Sequence, residues 1–186
     1  MDRAFFPYGC KNPDFLFKRT VFLCWYLTRF KVDLIILACN TLSVLVLNDA
    51  KCYFKTPIMG VIELFDFEKY DNAIFIGTLN TIKYLEKKNK KIFFLATPKL
   101  IDYIEHNQIA LIEKYLNKKR NLFDSYHYVL LGCTHFIRIK HLFKNAIAQD
   151  DLFNIKMLNG IRNTWFFVWF SNKISVWIKS FKTIFH

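Results

Sequence analysis

Short runs of consecutive apolar residues recur along the chain, and segments with helical periodicity separate most of them. The apolar runs lie at 34–38, 58–62, 73–76, 92–96 and 128–131. Because they do not alternate apolar with polar residues, each predicts a strand buried on both faces of a parallel sheet. Helices are predicted between or after them at 80–88, 108–118 and 137–148. Strands that alternate with helices predict an α/β fold.

A further helix is predicted before the first of these strands, from Asn12-Pro13-Asp14 to about Phe30. Asn12 can accept hydrogen bonds as the N-cap, and Pro13 suits the first helical position. Asp14 places negative charge at the positive end of the helix dipole. These signals fix the start of the helix more sharply than its end.

The composition indicates a globular protein rather than a disordered one. Hydrophobic residues make up 53% and charged residues 23% of 186 residues, enough for one domain or two small lobes around a cleft. The five cysteines form neither a CxxC pair nor a zinc-site spacing, which favours reduced thiols. The N-terminus lacks a signal-peptide pattern, and no apolar run approaches the roughly 20 residues needed to cross a bilayer. We therefore predict a cytoplasmic protein.

The formal net charge of +12 could attract anionic partners. Most lysines are scattered over predicted helix surfaces and loops, with one denser stretch at 87–91. No nucleic-acid-binding motif accompanies them. We interpret the lysines as a solvated surface and expect no nucleic-acid partner.

Two strand ends repeat one pattern of residues, in which an apolar run is followed by a cysteine and two polar side chains. They read LIILACNT at 34–41 and YVLLGCTH at 128–135. In α/β folds, functional groups collect beyond the carboxyl ends of the strands. Backbone N–H groups at a following helix start favour a thiolate or a bound carboxylate. Cys39 and Cys133 therefore predict a pair of acid–base thiols on the two sides of a small anionic ligand.

Such a pair suits inversion at a carbon that bears an acidic hydrogen, without a metal ion. One thiolate removes the proton from one face, and the opposite thiol returns a proton to the other. His135 is a candidate to tune Cys133 or to exchange protons with it. Asn40, Thr41 and Thr134 can donate hydrogen bonds to a carboxylate and to the developing enolate oxygens.

The alternative chemistry for Cys133 and His135 is a nucleophilic dyad, as in thiol hydrolases. Partners in such dyads are usually distant in sequence, and the dyad would leave the Cys39 turn unexplained. For Cys10, Cys24 and Cys52, burial as small apolar residues is the simpler interpretation.

The chain resembles the cofactor-independent aspartate/glutamate racemases, and among them most closely the glutamate racemases. The resemblance lies in PYG at 7–9 with the KNP that follows, VDLIILACNT at 32–41, GVIE at 60–63, GTLNT at 77–81 and LLGCTHF at 130–136. Order and approximate spacing match over roughly residues 2–150. The pairing of ACNT with GCTH is more specific than either motif alone.

The resemblance implies a fold of two pseudo-symmetric, Rossmann-like α/β lobes with parallel sheets and the substrate between them. It implies racemisation of glutamate for peptidoglycan synthesis without pyridoxal phosphate, and it is compatible with a homodimer. By position it makes Cys39 and Cys133 the catalytic thiols, with His135 and Glu105 as auxiliary groups. The substrate contacts that it implies are Pro7, Tyr8, Gly9, Asn40, Thr41, Thr78, Thr81 and Thr134.

The resemblance divides the chain into three segments, and the chain departs from the family pattern at several places. We assign 1–62 to a first lobe, 63–148 to a second, and 149–186 to a return to the first lobe with a divergent tail. Relative to the family, the chain starts after a first strand and an Asp-Ser turn, so an incomplete first lobe is expected. Leu64 replaces the proline expected after Glu63, and LNG at 158–160 stands near a family Asp-Ser-Gly turn.

The tail contains three of the four tryptophans, at 165, 169 and 177, and has no acidic residue after Asp151. The sequence leaves open a membrane-surface helix, a helix packed on the body and an unrelated extension. An alternative function follows from it: a catalytically inactive, racemase-like protein that binds a membrane or nucleic acid through this basic aromatic tail.

Overall fold

The computed structural model describes Phe5, Tyr8, Gly9, residues 11–153 and the backbone of residues 164 and 165. Over these residues it confirms the α/β fold with parallel sheets. The strands are Leu34–Leu37 (β1), Ile58–Gly60 (β2), Ala73–Gly77 (β3), Phe93–Ala96 (β4), Tyr128–Gly132 (β5), Ala146–Ile147 (β6) and Thr164–Trp165 (β7). The α-helices are Pro13–Thr28 (α1), Asn40–Leu45 (α2), Leu47–Tyr53 (α3), Leu79–Lys88 (α4), Pro98–Glu105 (α5), Ile109–Lys118 (α6), Arg120–Asp124 (α7) and Gln149–Leu152 (α8). Pro7, Cys10 and the tail residues other than 164 and 165 lie outside the described residues.

The described residues divide into two compact units. One contains the residues up to Glu63 and those from Phe153 onward, and the other spans Leu64–Leu152. Each unit has its own parallel sheet and its own hydrophobic core.

The sheet of the first unit has the order β2-β1-β7, with β1 parallel to both neighbours. All four residues of β1 are buried, as its continuous apolar run predicts. Helix α1 begins as its sequence predicts, since the Asn12 side chain accepts a hydrogen bond of 2.8 Å from the backbone N–H of Asp14. The buried face of α1 recurs every three or four residues, at Leu16, Thr20, Cys24 and Leu27.

The sheet of the second unit has the order β4-β3-β5-β6, and each neighbouring pair is parallel. Its central strands, β3 and β5, are buried except at Tyr128. At their carboxyl ends, Ala96, Gly77 and Gly132 lie side by side on three adjacent strands. The chain therefore leaves the sheet at one level into Thr97, Thr78 and Cys133.

One face of this sheet is lined with aromatic rings, which leaves room only for a glycine at position 132. A Cβ atom on Gly132 would lie 2.0 Å from the Phe75 ring and 2.8 Å from the Ile76 carbonyl oxygen. Phe75 in turn packs edge-on against Phe65 with ring centroids 5.5 Å apart. The turn that holds Cys133 thus begins at a tightly packed position.

The prediction of a helix at 137–148 is wrong. A 3-10 helix occupies Thr134–Leu142, and the chain then forms β6, which pairs in parallel with Val129 and Leu130 of β5. Apolar residues in this segment do recur at helical spacing, but pairing with the open edge of β5 satisfies backbone groups that a continued helix would leave exposed there. The predicted strand at 58–62 also ends early, at Gly60, because the Glu63 carboxylate accepts a hydrogen bond of 2.9 Å from the Gly60 N–H at the start of a 3-10 helix, Val61–Leu64.

A search of the described residues finds no helix that combines the length and apolar character needed to span a membrane.

Candidate active site

Cys133 lies where β5 ends and the 3-10 helix Thr134–Leu142 begins, and its side chain contacts a histidine that in turn contacts a carboxylate. Its Sγ atom is 3.0 Å from Nδ1 of His135. Nε2 of the same ring is 2.6 Å from Oε1 of Glu105, the last residue of α5. Cys133 and His135 are buried, and the Glu105 side chain is 23% exposed. The structure thus brings together three of the predicted residues in a continuous chain of contacts.

This chain of contacts changes the protonation of His135. Burial lowers the pKa of the His135 ring. The charge and hydrogen bonding of Cys133, and after it of Glu105, act in the opposite direction and outweigh burial, so that the pKa rises from the ordinary 6.5 to about 10. His135 is therefore an imidazolium at neutral pH. In general, a cation within hydrogen-bond distance of a cysteine sulfur favours a thiolate as the proton acceptor.

Cys39 occupies the corresponding place in the first unit, as the N-cap of α2 after β1. The Ser43 hydroxyl donates to the Cys39 carbonyl at 2.9 Å, which fixes the turn, and it also lies 3.2 Å from the Leu37 carbonyl oxygen. Asn40 is only 2% exposed, and neither Oδ1 nor Nδ2 of its side chain has a hydrogen-bond partner in the part of the chain that the structure describes. Such a group is costly to bury unless a ligand or water completes its hydrogen bonds.

Tyr8 lies close to Cys39 in the first unit. Both residues line a small, mainly apolar cavity of about 40 Å³, together with Leu37 and Leu42. Tyr8 is buried and Gly9 is partly exposed, whereas Pro7 lies outside the described residues. Thr41 is buried directly beside Asn40.

The predicted threonines of the second unit cap a helix. The Thr78 hydroxyl accepts a hydrogen bond of 3.3 Å from the backbone N–H of Thr81, and the two hydroxyl oxygens are 2.9 Å apart. Both residues are buried. Thr134 opens the 3-10 helix after Cys133 and is partly exposed.

The remaining described cysteines have different surroundings. Cys24 is buried in the core of the first unit, and this burial raises the pKa of its thiol to about 12. Cys52 is exposed on α3. Neither is joined to a histidine or carboxylate by a described contact, and no group of three or more potential metal ligands occurs among the described residues.

Comparison with known proteins decides the family. The chain is 30% identical over 185 residues to the glutamate racemase of Hydrogenobaculum sp., which covers 87% of this chain and 71% of that protein. The chain belongs to the glutamate racemase family. It is also 28% identical to the Pasteurella multocida glutamate racemase over 171 residues, which cover 82% of this chain and 63% of that protein. No family model matches the sequence.

A solved racemase shares the fold. The glutamate racemase from Francisella tularensis, solved in complex with D-glutamate, superposes with a TM-score of 0.67 at 21% identity and covers 88% of this chain and 74% of that one. Several curated racemases extend further than the present chain, which spans slightly less than two thirds of their length.

Sequence reasoning missed one buried polar residue at the carboxyl edge of the second sheet. Thr97 follows β4, is fully buried, and its hydroxyl has no hydrogen-bond partner among the described residues. Its backbone N–H donates to the Gly77 carbonyl at 2.9 Å, which holds it beside Thr78. The signal was present, because FFLAT at 93–97 repeats the pattern of an apolar run, a small residue and a threonine that IFIGT shows at 74–78.

Proposed function

We propose that this chain is a glutamate racemase that inverts the α-carbon with two thiols and no organic cofactor. In the reaction, one cysteine thiolate takes the α-proton, and the electron pair of the broken C–H bond moves into the substrate carboxylate as an enolate. The thiol on the opposite face then gives its proton to the same carbon. Cys39 and Cys133 are the proposed thiols, one from each unit.

The observation that carries the proposal is the contact chain from Cys133 through His135 to Glu105. An imidazolium 3.0 Å from sulfur can hold a thiolate ready to accept a proton, and the carboxylate at 2.6 Å keeps the ring charged and oriented. A merely buried cysteine, such as Cys24, has no such partners. Membership of the racemase family makes proton transfer at an amino acid the favoured use of this thiolate.

The first unit supports the proposal through Asn40. Its buried amide offers two donors and one acceptor that the described residues do not use. A carboxylate or ammonium group of an amino acid beside Cys39 would complete them. The backbone N–H groups that open α2 are further donors for a carboxylate. The Francisella tularensis relative, solved with D-glutamate, supports glutamate as the substrate.

The test is exchange of the α-proton of L-glutamate in deuterium oxide, followed by proton NMR with the full chain. Loss of the α-proton signal, together with formation of D-glutamate, is expected. Cys39→Ser and Cys133→Ser should each reduce racemisation by at least about 100-fold, because general acid–base groups typically contribute about 10²–10⁴-fold.

Cys52→Ser is the matched control, since it removes a sulfur from an exposed site on the same unit as Cys39. It should leave the exchange rate unchanged. Exchange that survives both Cys39→Ser and Cys133→Ser would rule out the two-thiol scheme. Action in the cytoplasm, supply of D-glutamate for peptidoglycan and assembly as a homodimer belong to the same proposal and stay predictions.

A further inference from the structure

The second unit contains a cavity at the end of β5 opposite Cys133. It has a volume of about 160 Å³ and lies among α7, the start of β5 and the segment that leads into β6. Val129, in this cavity, precedes Cys133 by four residues, or about 13 Å along a strand. The cavity is therefore separate from the proposed catalytic end of the same strand.

The floor of the cavity is apolar. Leu116, Val129 and the partly buried Leu142 line it together with two aromatic rings, Phe123 and Phe143. These rings pack edge to face with centroids 5.3 Å apart. An apolar cavity of about 150 Å³ is large enough for a benzene ring. The cavity as a whole is thus large enough for one flat ring, and its apolar floor suits the polarity of such a ring.

The mouth of the cavity is cationic. The cations Arg120 and Lys144 lie around it beside the His127 ring, with Asp124 as the single carboxylate of the lining. The Arg120 guanidinium is held in place, because it donates to the Leu142 carbonyl and to the Asn117 side chain, both at 3.2 Å. Those bonds use two of its five N–H donors, and the planar group suits two-point binding of a carboxylate.

We propose that this cavity binds a small carboxylate attached to a flat apolar ring, a ligand about the size of benzoate. The ring would replace water against Phe123 and Phe143, and the carboxylate would lie at the mouth between Arg120 and Lys144. Each half alone is a poorer ligand, because a neutral ring makes no ion pair with Arg120 or Lys144, and a small carboxylate leaves water against the apolar floor.

The experiment is a titration of the isotope-labelled full chain, followed by amide chemical shifts. The probes are sodium benzoate, benzyl alcohol as the neutral ring, and sodium acetate as the bare carboxylate. Benzoate should shift amides at 120–129 and 142–145 and saturate with a Kd of about 1–10 mM, as expected for so small a ligand. Benzyl alcohol and acetate should each bind at least about fivefold more weakly, a difference of about 1 kcal/mol.

Lys144→Glu tests the anionic half of the site, because this residue is exposed and its replacement need not disturb the core. Benzoate affinity should fall at least about tenfold. Lys83→Glu, an identical charge change on the exposed face of α4, is the control and should change affinity less than about twofold.

Three outcomes would overturn the proposal: shifts spread over the whole surface without saturation, equal binding of benzyl alcohol and benzoate, or unchanged affinity in Lys144→Glu. Binding is measured without turnover. The result is therefore independent of whether the chain racemises glutamate.

Discussion

At the scale of single residues, the charge on His135 depends on both of its neighbours. The pKa of His135 is raised to about 10 in the folded chain from an ordinary value of 6.5. The stabilisation that comes from its protonated form is thus complete below about pH 6.5 and is lost as the pH rises through about 10. Glu105→Gln removes the carboxylate charge beside the ring but keeps a side chain of the same shape.

We expect Glu105→Gln to lower the free energy of unfolding by about 1–2 kcal/mol near pH 7, because it removes the carboxylate charge that pairs with the buried His135 imidazolium. The difference from the wild type should shrink as the pH approaches 10. Urea unfolding at a series of pH values measures it, with Glu113→Gln on the exposed face of α6 as the control. A difference that stays constant from pH 7 to pH 10 would contradict the assigned ion pair.

Among Gly60, Gly77 and Gly132, Gly132 is the one at which an added Cβ should lower the free energy of unfolding most. We expect Gly132→Ala to lower the free energy of unfolding by about 2–3 kcal/mol, since its Cβ would overlap the Phe75 ring and approach the Ile76 carbonyl. Gly77→Ala, whose nearest contacts would be at 3.3 Å, should be milder. Urea unfolding of both variants is the measurement.

Combining Gly132→Ala with Phe75→Leu should cost less than the sum of the two single changes, because the smaller side chain removes the overlap. Strictly additive effects would mean that the loss arises from the backbone rather than from the ring.

Local sequence patterns were sufficient to identify Cys39 and Cys133 as candidate site residues, because an apolar run followed by cysteine and polar residues can be recognised within eight positions. Glu105 was found only through the family resemblance, since it is 28 residues before Cys133 and on another element. Thr97 lacks the second polar residue that follows Cys39-Asn40 and Cys133-Thr134, since Pro98 comes directly after it. Contacts between distant elements are what a single sequence conveys least.

At the scale of elements, the N-terminus of α1 depends on one side chain. Asn12→Ala should lower the free energy of unfolding by about 1 kcal/mol, since it leaves the Asp14 N–H without its cap. Asn12→Ser should retain most of the stability, because serine is an equally good N-cap. Thermal unfolding followed by circular dichroism compares the three chains, and equal losses in both variants would exclude a capping role.

Elements with a strong local signal were predicted correctly in type, whereas the segment after Cys133 was not. Buried strands such as β3 and β5 are continuous apolar runs, and α1 has a complete start signal. Residues 137–148 have helical spacing, yet β6 forms there because β5 offers an unpaired edge. That edge arises only when the sheet is assembled, so tertiary pairing overrides the local preference.

At the scale of the whole molecule, each compact unit has its own core, and Cys24 reports on the first of them. Its thiol is buried and its pKa is raised to about 12, so it should react with a thiol reagent at pH 8 only after the core opens. Cys52 should react at once because it is exposed. Mass spectrometry of labelled peptides in a Cys10→Ser background, with and without urea, measures both sites.

Rapid modification of Cys24 in the absence of urea would mean that the first core opens readily. The labelling of Cys52 serves as the internal reference for reagent activity in every sample.

Ala96, Gly77 and Gly132 lie side by side at the ends of three adjacent strands, and this alignment limits how the sequence can change in evolution. Insertions and deletions are usually tolerated in loops, but a single residue gained or lost within β3, β4 or β5 would shift one strand against its neighbours. Thr97, Thr78 and Cys133 would then no longer leave the sheet at one level, and side chains would exchange faces. Length variation among descendants of this sequence should therefore accumulate between these strands and spare the strands themselves.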